Sequence, residues 1–282
     1  MTTWRGARRR WRTNRPAVAC SAVFLAVALA CYLGPLVAGA VGLDGTTLDP
    51  QLGATPPSGA HWFGTDTLGR DLLVRVMLGG RIAILVASVG AAIAVAIGVG
   101  YGAVAAYAGG AVDNVMMRIV DALYGFPTVA FIIVVMAVTG TRSLALVVAL
   151  IGAISWLTMA RITHGQVLAL RQRGFVEAAR ALGARPRRIL ARHVLPNAAG
   201  PVIVYATLAL PQVMITEAFL SFLGLGVQPP LASWGTLVTE GSSQIVVYPW
   251  LLGFPGATMA IAILALNFIG DGVRDVFAPD DR

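Results

Sequence analysis

The sequence predicts an all-α integral membrane protein with six transmembrane helices and both termini in the cytoplasm. Three observations point there. Hydrophobic residues make up 57% of the 282 residues and charged residues 12%, roughly half the charge of an average soluble domain. Six charge-free runs are present: Pro16–Leu43, Ile82–Val112, Ala122–Thr141, Ser143–Ala160, His193–Thr216 and Gly241–Gly270. A helix crosses the hydrocarbon core with ~20 apolar residues, and all six runs qualify, Ser143–Ala160 only just. The arginines then decide orientation. Six of them, from Arg5 to Arg15, precede the first run, and eight, from Arg161 to Arg192, separate the fourth from the fifth. With an even number of spans both clusters share one side, which the positive-inside rule makes cytoplasmic. Arg70, Arg75, Arg81 and Arg142 fall on the other side, and Arg118 sits at the inner end of the third span.

Residues 1–15 form a basic cytoplasmic tail, read as an orientation signal or as a contact for anionic membrane lipid. Residues 16–41 are the first transmembrane helix. A signal peptide would also start basic and apolar, but this run exceeds the usual core of such peptides. Cys20 and Cys31 lie about 16 Å apart along one helix, too far for a disulfide. Residues 42–81 are an extracytoplasmic loop, rich in Gly and Pro over its first half. Its second half, Asp66–Leu78, reads as an interfacial helix with Leu68, Leu72, Leu73 and Val76 on one side. Thr65 or Asp66 is the candidate cap, and Asp71 and Arg75 pair at i, i+4.

Residues 82–272 form the transmembrane core, and residues 273–282 a cytoplasmic tail. The second span carries Gly90, Gly98, Gly100 and Gly102 among alanines, which favours close helix approach in lipid. At the start of the third span Arg118 and Asp121 are expected to pair at i, i+3. Phe126-Pro127 is expected to kink that span and is a candidate gate. Glu217, near the outer end of the fifth span, has two readings. It is a gate or pathway residue, or an interfacial carboxylate paired with Arg70 or Arg81. The charge-free run Ala218–Thr239 contains Gly224, Gly226, Pro229 and Pro230. Its start closes the fifth span and its second half is read as a loop outside the bilayer.

The cytoplasmic loop 161–199 is the most informative stretch. Gln166–Leu182 has good helix formers and ends at Gly183, a left-handed cap. Pro186 starts a second short helix that should end before Pro196. Arg188 and Arg192 share one face, and Ile189 and Leu190 are expected to offer apolar contact to a soluble partner. Such a knob suits insertion into a groove.

Several chemistries are excluded. The net charge of +8 comes from arginine alone, because the chain has no lysine. It therefore holds neither a Walker A loop nor a Schiff-base lysine. His61, His164 and His193 show no metal-ligand spacing, and no catalytic Ser/His/Asp or HExxH pattern is present. The arginine distribution tracks the membrane rather than a nucleic acid.

The spacing Glu177-Ala178-Ala179-Arg180, Gly183, then Leu195-Pro196 resembles the signature of permease subunits in binding-protein-dependent ABC importers. His61–Asp66 with Gly69-Arg70-Asp71, Leu220–Gly226, Ser233-Trp234-Gly235, Phe254-Pro255-Gly256 and Asn267–Asp275 look like the C-type permeases of the dipeptide, oligopeptide and nickel group. His193 and Ala278 depart from that pattern. The resemblance implies the type I ABC importer permease fold and a non-catalytic permease in a bacterial plasma (inner) membrane. It implies a homologous permease as partner, two ATPase subunits that bind ATP and Mg, and an extracytoplasmic substrate-binding protein. No cofactor is expected on this chain. The ATPase-coupling residues would be Glu177, Ala178, Ala179, Arg180, Gly183, Arg188, Arg192 and Pro196. The group's commonest use favours di- or oligopeptides as the solute, with nickel or another small solute as the alternative. A secondary transporter would show internal repeats and midplane charges; no repeat is evident, and Glu217 is the only carboxylate well separated from the inner face within a span.

Overall fold

The computed structural model describes residues 10–277 apart from positions 12 and 41; the basic start over residues 1–9 and Ala278 lie outside the described residues. In chain order the helices are α1 (Arg15–Ala40), α2 (Leu72–Ala108), α3 (Gly110–Tyr124), α4 (Thr128–Thr139), α5 (Leu144–Leu170), α6 (Gly174–Ala181) and α7 (Pro186–Ile189). A π turn over Leu190–Val194 leads into α8 (Leu195–Phe222), followed by α9 (Trp234–Ser242) and α10 (Trp250–Phe277). Among the described residues, five helices are long and apolar enough to cross a membrane: α1, α2, α5, α8 with the turns before it, and α10. The pair α3 and α4, bent by 80°, makes a sixth span if taken as one.

Small residues set the packing. In lipid, helices associate through close contact rather than through water exclusion. A Cβ on Gly102 would come within 2.2 Å of the Ala160 carbonyl oxygen, and one on Gly98 within 2.7 Å of the Trp156 oxygen. Only glycine lets α2 lie this close to α5. Val86, Val147, Ile151, Val213 and Leu220 then form one buried core between α2, α5 and α8. Trp234 of α9 is fully buried, and its indole N–H donates to the Val76 carbonyl at 2.9 Å.

The outer segment differs from expectation. No separate interfacial helix forms; α2 begins at Leu72 and runs unbroken to Ala108. Its cap is Asp71, whose carboxylate accepts from the Val74 N–H at 3.0 Å, not Thr65 or Asp66. Capping occupies Asp71, so it does not pair with Arg75. Asp71 instead meets His61 Nδ1 at 2.9 Å. Arg75 reaches Asp66 at 2.7 Å and Glu240 of α9 at 2.8 Å. Thr65, wholly buried, donates to the Gly53 carbonyl and accepts from the Thr55 N–H. Phe63 stacks on Phe254 of α10 with centroids 4.0 Å apart.

Four further boundaries move for backbone reasons. The third span is broken rather than kinked: Pro127 lacks an N–H and disfavours a helical Phe126, so α3 stops at Tyr124 and α4 restarts at Thr128. The fourth span continues to Leu170, and the helix expected over Gln166–Leu182 is interrupted at residues 171–173. The helix begun at Pro186 does not end before Pro196. The π turn pairs the Leu195 N–H with the Leu190 carbonyl, and that wider turn carries the chain past a proline that cannot donate. Finally, the run read as an outer loop contains α9. Ser233 and Thr236 close a capping box at its start, which lets a nine-residue helix begin straight after the loop.

Candidate functional site: the arginine-rich loop and the cavity behind it

The loop 171–194 is a small folded unit with its own core. Val176, Ile189 and Val194 are buried together with Val167 of α5 and Ala103 and Ala106 of α2. Ile189 therefore faces inward, and Leu190 packs beside it. The expectation that these two meet a partner is corrected: a four-residue helix takes its facing from the surface beneath it.

What the unit presents outward is polar except for two large apolar side chains, Phe175 at 41% exposed and Leu182 at the tip. Glu177, Ala178, Arg180, Gly183, Arg188, Arg192 and Pro196 are exposed, and Ala179 is half-buried. Gly183 has φ +75°. Its N–H donates to the Arg180 carbonyl at 2.9 Å, and the Ala184 N–H donates to the Ala179 carbonyl at 3.1 Å. This is the Schellman arrangement, which satisfies the last carbonyls of α6. The turn pushes Leu182 outward until it is 88% exposed. Sequence reasoning did not nominate Leu182; the available signal was an apolar residue directly before the left-handed glycine. Exposed apolar side chains of this size are ordinary singly, but this one crowns a rigid charged knob.

Behind the loop, a cavity of about 600 Å³ opens between α4, α5 and α8. Phe126 and Pro127 line it at the break between α3 and α4, together with Ser155, Thr158, Tyr205 and Gln212. The wall is thus mixed apolar and hydroxyl or amide. Glu217 is not in that wall. It is 1% exposed and accepts hydrogen bonds from Ser221 Oγ at 2.8 Å and Ser233 Oγ at 2.6 Å. The expected pairing with Arg70 or Arg81 is corrected: Arg70 binds Asp66, and Arg81 lies over the Tyr32 ring. The expected Arg118–Asp121 pair is corrected too. Asp121 meets Arg161 of α5 at 2.8 Å, because that face of α3 packs on α5.

The chain has known relatives. A family model described as binding-protein-dependent transport system inner membrane component matches residues 94–281. A second, the N-terminal TM domain of oligopeptide transport permease C, matches residues 2–51. The chain is 43% identical over 284 residues to the oligopeptide transport system permease protein OppC of Haemophilus influenzae, covering 99% of this chain and 89% of that one. It is 45% identical over 279 residues to the protein of that name from Escherichia coli K12, covering 99% and 92%. The dipeptide transport system permease protein DppC of Bacillus subtilis is 39% identical over 275 residues, covering 97% and 85%. Among solved structures, an inward-facing form of the MetNI methionine ABC transporter superposes with TM-score 0.58 at 17% identity, covering 72% of this chain and 97% of that one. At that identity the likeness concerns the fold. The chain belongs to the family of binding-protein-dependent transport system inner membrane components, and it is a permease subunit of an ABC importer.

Proposed function

We propose that this chain, paired with a homologous permease, forms the path by which di- or oligopeptides enter the cell from an extracytoplasmic binding protein. The loop 171–194 receives the ATPase subunits, which bind ATP and Mg; the permease itself hydrolyses nothing. The observation that carries the coupling role is the knob itself. Its own buried core fixes it to the inner ends of α2 and α5, while the Gly183 turn presents Leu182 among exposed charges. A mere connector needs no such core. Glu177 and Arg180 flank the tip of α6, Arg188 and Arg192 extend the charged surface, and Ala178 and Ala179 permit close approach. Pro196 sits where the π turn hands over to α8.

Peptide as the solute is supported by the names of the relatives above and by the mixed wall of the cavity. Phe126 and Pro127, at the break in that wall, are the gate candidates. Glu217 acts as an internal brace rather than a pathway residue. The test is to co-express the chain with its partner permease, two ATPases and binding protein, and to purify the assembly. Mass spectrometry of the ligand released from the binding protein should return short peptides, and uptake of that peptide into liposomes should require ATP. A bound metal ion without peptide would overturn the substrate, and ATPase activity in this chain alone would overturn the division of labour.

A further inference from the structure

The loop and the cavity lie at opposite ends of one polar seam between α5 and α3. Three side chains of α5 contribute, with Arg171 just past its end. Arg171 donates to the Ala106 carbonyl at the end of α2 at 2.6 Å, against Gly109, where the chain turns into α3 with φ +69°. His164 Nε2 meets Asp113 at 2.7 Å. Arg161 binds Asp121 at 2.8 Å and lies 4.1 Å over the Tyr124 ring. Thr158 Oγ1 meets the Tyr124 hydroxyl at 2.9 Å. From Thr158 to Arg171 the seam spans about 20 Å of helix. Its first rung adjoins the loop, and its last, Tyr124 and Thr158, lies in the cavity wall.

Two facts make the seam more than packing. Arg161 and Asp121 are 42% and 64% exposed. Formal charges so exposed do not face hydrocarbon, so this side of α3 looks onto water or a partner chain. An apolar layer backs the seam: Val120 is buried against Leu157 and Ala160, and the Tyr101 hydroxyl donates to the Met116 carbonyl. Held on both sides, α3 has one soft end. Just past Tyr124 the chain breaks at Gly125-Phe126-Pro127 and turns by 80° into α4.

We propose that α3 is the lever of this permease: His164, Arg161 and Thr158 clamp it to α5, and Arg171 holds the end of α2 that leads into it, so that displacement of the loop swings α3 about the break and moves Phe126 in the cavity wall. Arg171, His164 and Arg161 are positioning residues, acting through α3 rather than touching solute or nucleotide, while Thr158 also stands in the cavity wall. The inference rests on the loop docking an ATPase.

The experiment uses the full assembly in liposomes and a reporter that needs no known solute. Cys20 and Cys31 are replaced, and Phe126→Cys supplies one thiol in the cavity. Its labelling by a water-soluble maleimide is timed without nucleotide and with ATP plus vanadate. With the seam intact, nucleotide should change the labelling rate about fivefold or more, and Asp121→Ala with Arg161→Ala should reduce that response to below about twofold. The ATPase subunits should stay bound and keep their basal hydrolysis. The charge swap, Asp121→Arg with Arg161→Asp, should recover most of the response. An undiminished response in the double alanine variant overturns the lever, as does an absent response with the seam intact. Loss of the ATPase subunits from the seam variants also overturns it, since the defect would then lie in docking. Gly183→Val in the same membranes reports on docking alone through ATPase retention, so the two readings fail separately.

Discussion

Ser233 donates a 2.6 Å hydrogen bond to Glu217, tying the start of α9 to the outer part of α8. Ser221 donates to the same carboxylate oxygen at 2.8 Å, and Ser233 Oγ also accepts the Thr236 N–H as cap of α9. One buried carboxylate thus holds a helix start and a helix end together. Gly235 makes the approach possible, since a Cβ there would lie 2.6 Å from the Ala218 Cα.

We expect Glu217→Ala to strand two buried hydroxyls and cost about 1–3 kcal/mol. Glu217→Gln keeps an acceptor oxygen and should cost less. Thermal unfolding of the purified protein in detergent measures both. If Glu217→Ala melts with the native protein, the brace does not exist.

The outer segment should depend on Asp66 in the same way. Asp66 is 4% exposed and Arg75 6%, and Arg75 also carries the link to Glu240. Removing one partner of a buried ion pair typically costs about 3–5 kcal/mol. Arg70 still reaches Asp66 at 2.7 Å, so Arg75→Met should fall below that range. The predicted symptom is local: protease cleavage within residues 44–71 from the outer side, in membranes where the spans remain intact. Resistance equal to that of the native chain would mean that Arg70 alone suffices.

The spans were legible because charge-free length is a direct demand of the bilayer. The Gly183 turn and the start at Pro186 were legible because each needs a special backbone state. Long-range partners were not. Arg75 and Glu240 are 165 positions apart, and Asp121 and Arg161 are 40 apart. The sequence offered closer partners within one helix turn: Asp71 for Arg75, and Arg118 for Asp121. Glu217 was misread for the same reason: nothing local announces that Ser233 folds back over it. Ile189 shows a second limit, since in so short a helix the buried face is chosen by the neighbouring helices.

Orientation has a simple check. Ser58 and Arg187 are both exposed and lie on opposite sides if the arginine asymmetry sets topology. Single cysteines at these positions, with Cys20 and Cys31 replaced, should label oppositely: position 58 from outside in intact cells, position 187 only after permeabilisation. Labelling of both from outside would require a different number of spans between them, and labelling of 187 alone an inverted orientation.

The Gly183 turn allows the sharpest separation of causes. Nothing lies within 4 Å of a Cβ placed on Gly183, so a substitution there meets no steric clash. Its cost is conformational, because φ is +75° and a residue with a Cβ loses about 1–2 kcal/mol in the left-handed region. Gly183→Val should bear that cost fully, being β-branched, whereas Gly183→Asn should bear little. The valine variant should relax by unwinding the last turn of α6, which withdraws Leu182 from the tip and shifts Glu177 and Arg180. Membrane insertion should be normal in both variants, since no span is touched. ATPase retention and solute uptake should fall sharply for valine and stay near native for asparagine. Leu182→Glu supplies the independent arm: it leaves the backbone turn alone and removes only the apolar tip, so it should weaken retention without altering the thermal midpoint. Loss of retention in the valine and Leu182→Glu variants, with asparagine spared, would locate docking at this turn. Native retention in Gly183→Val would show that the loop serves only to connect α5 and α8.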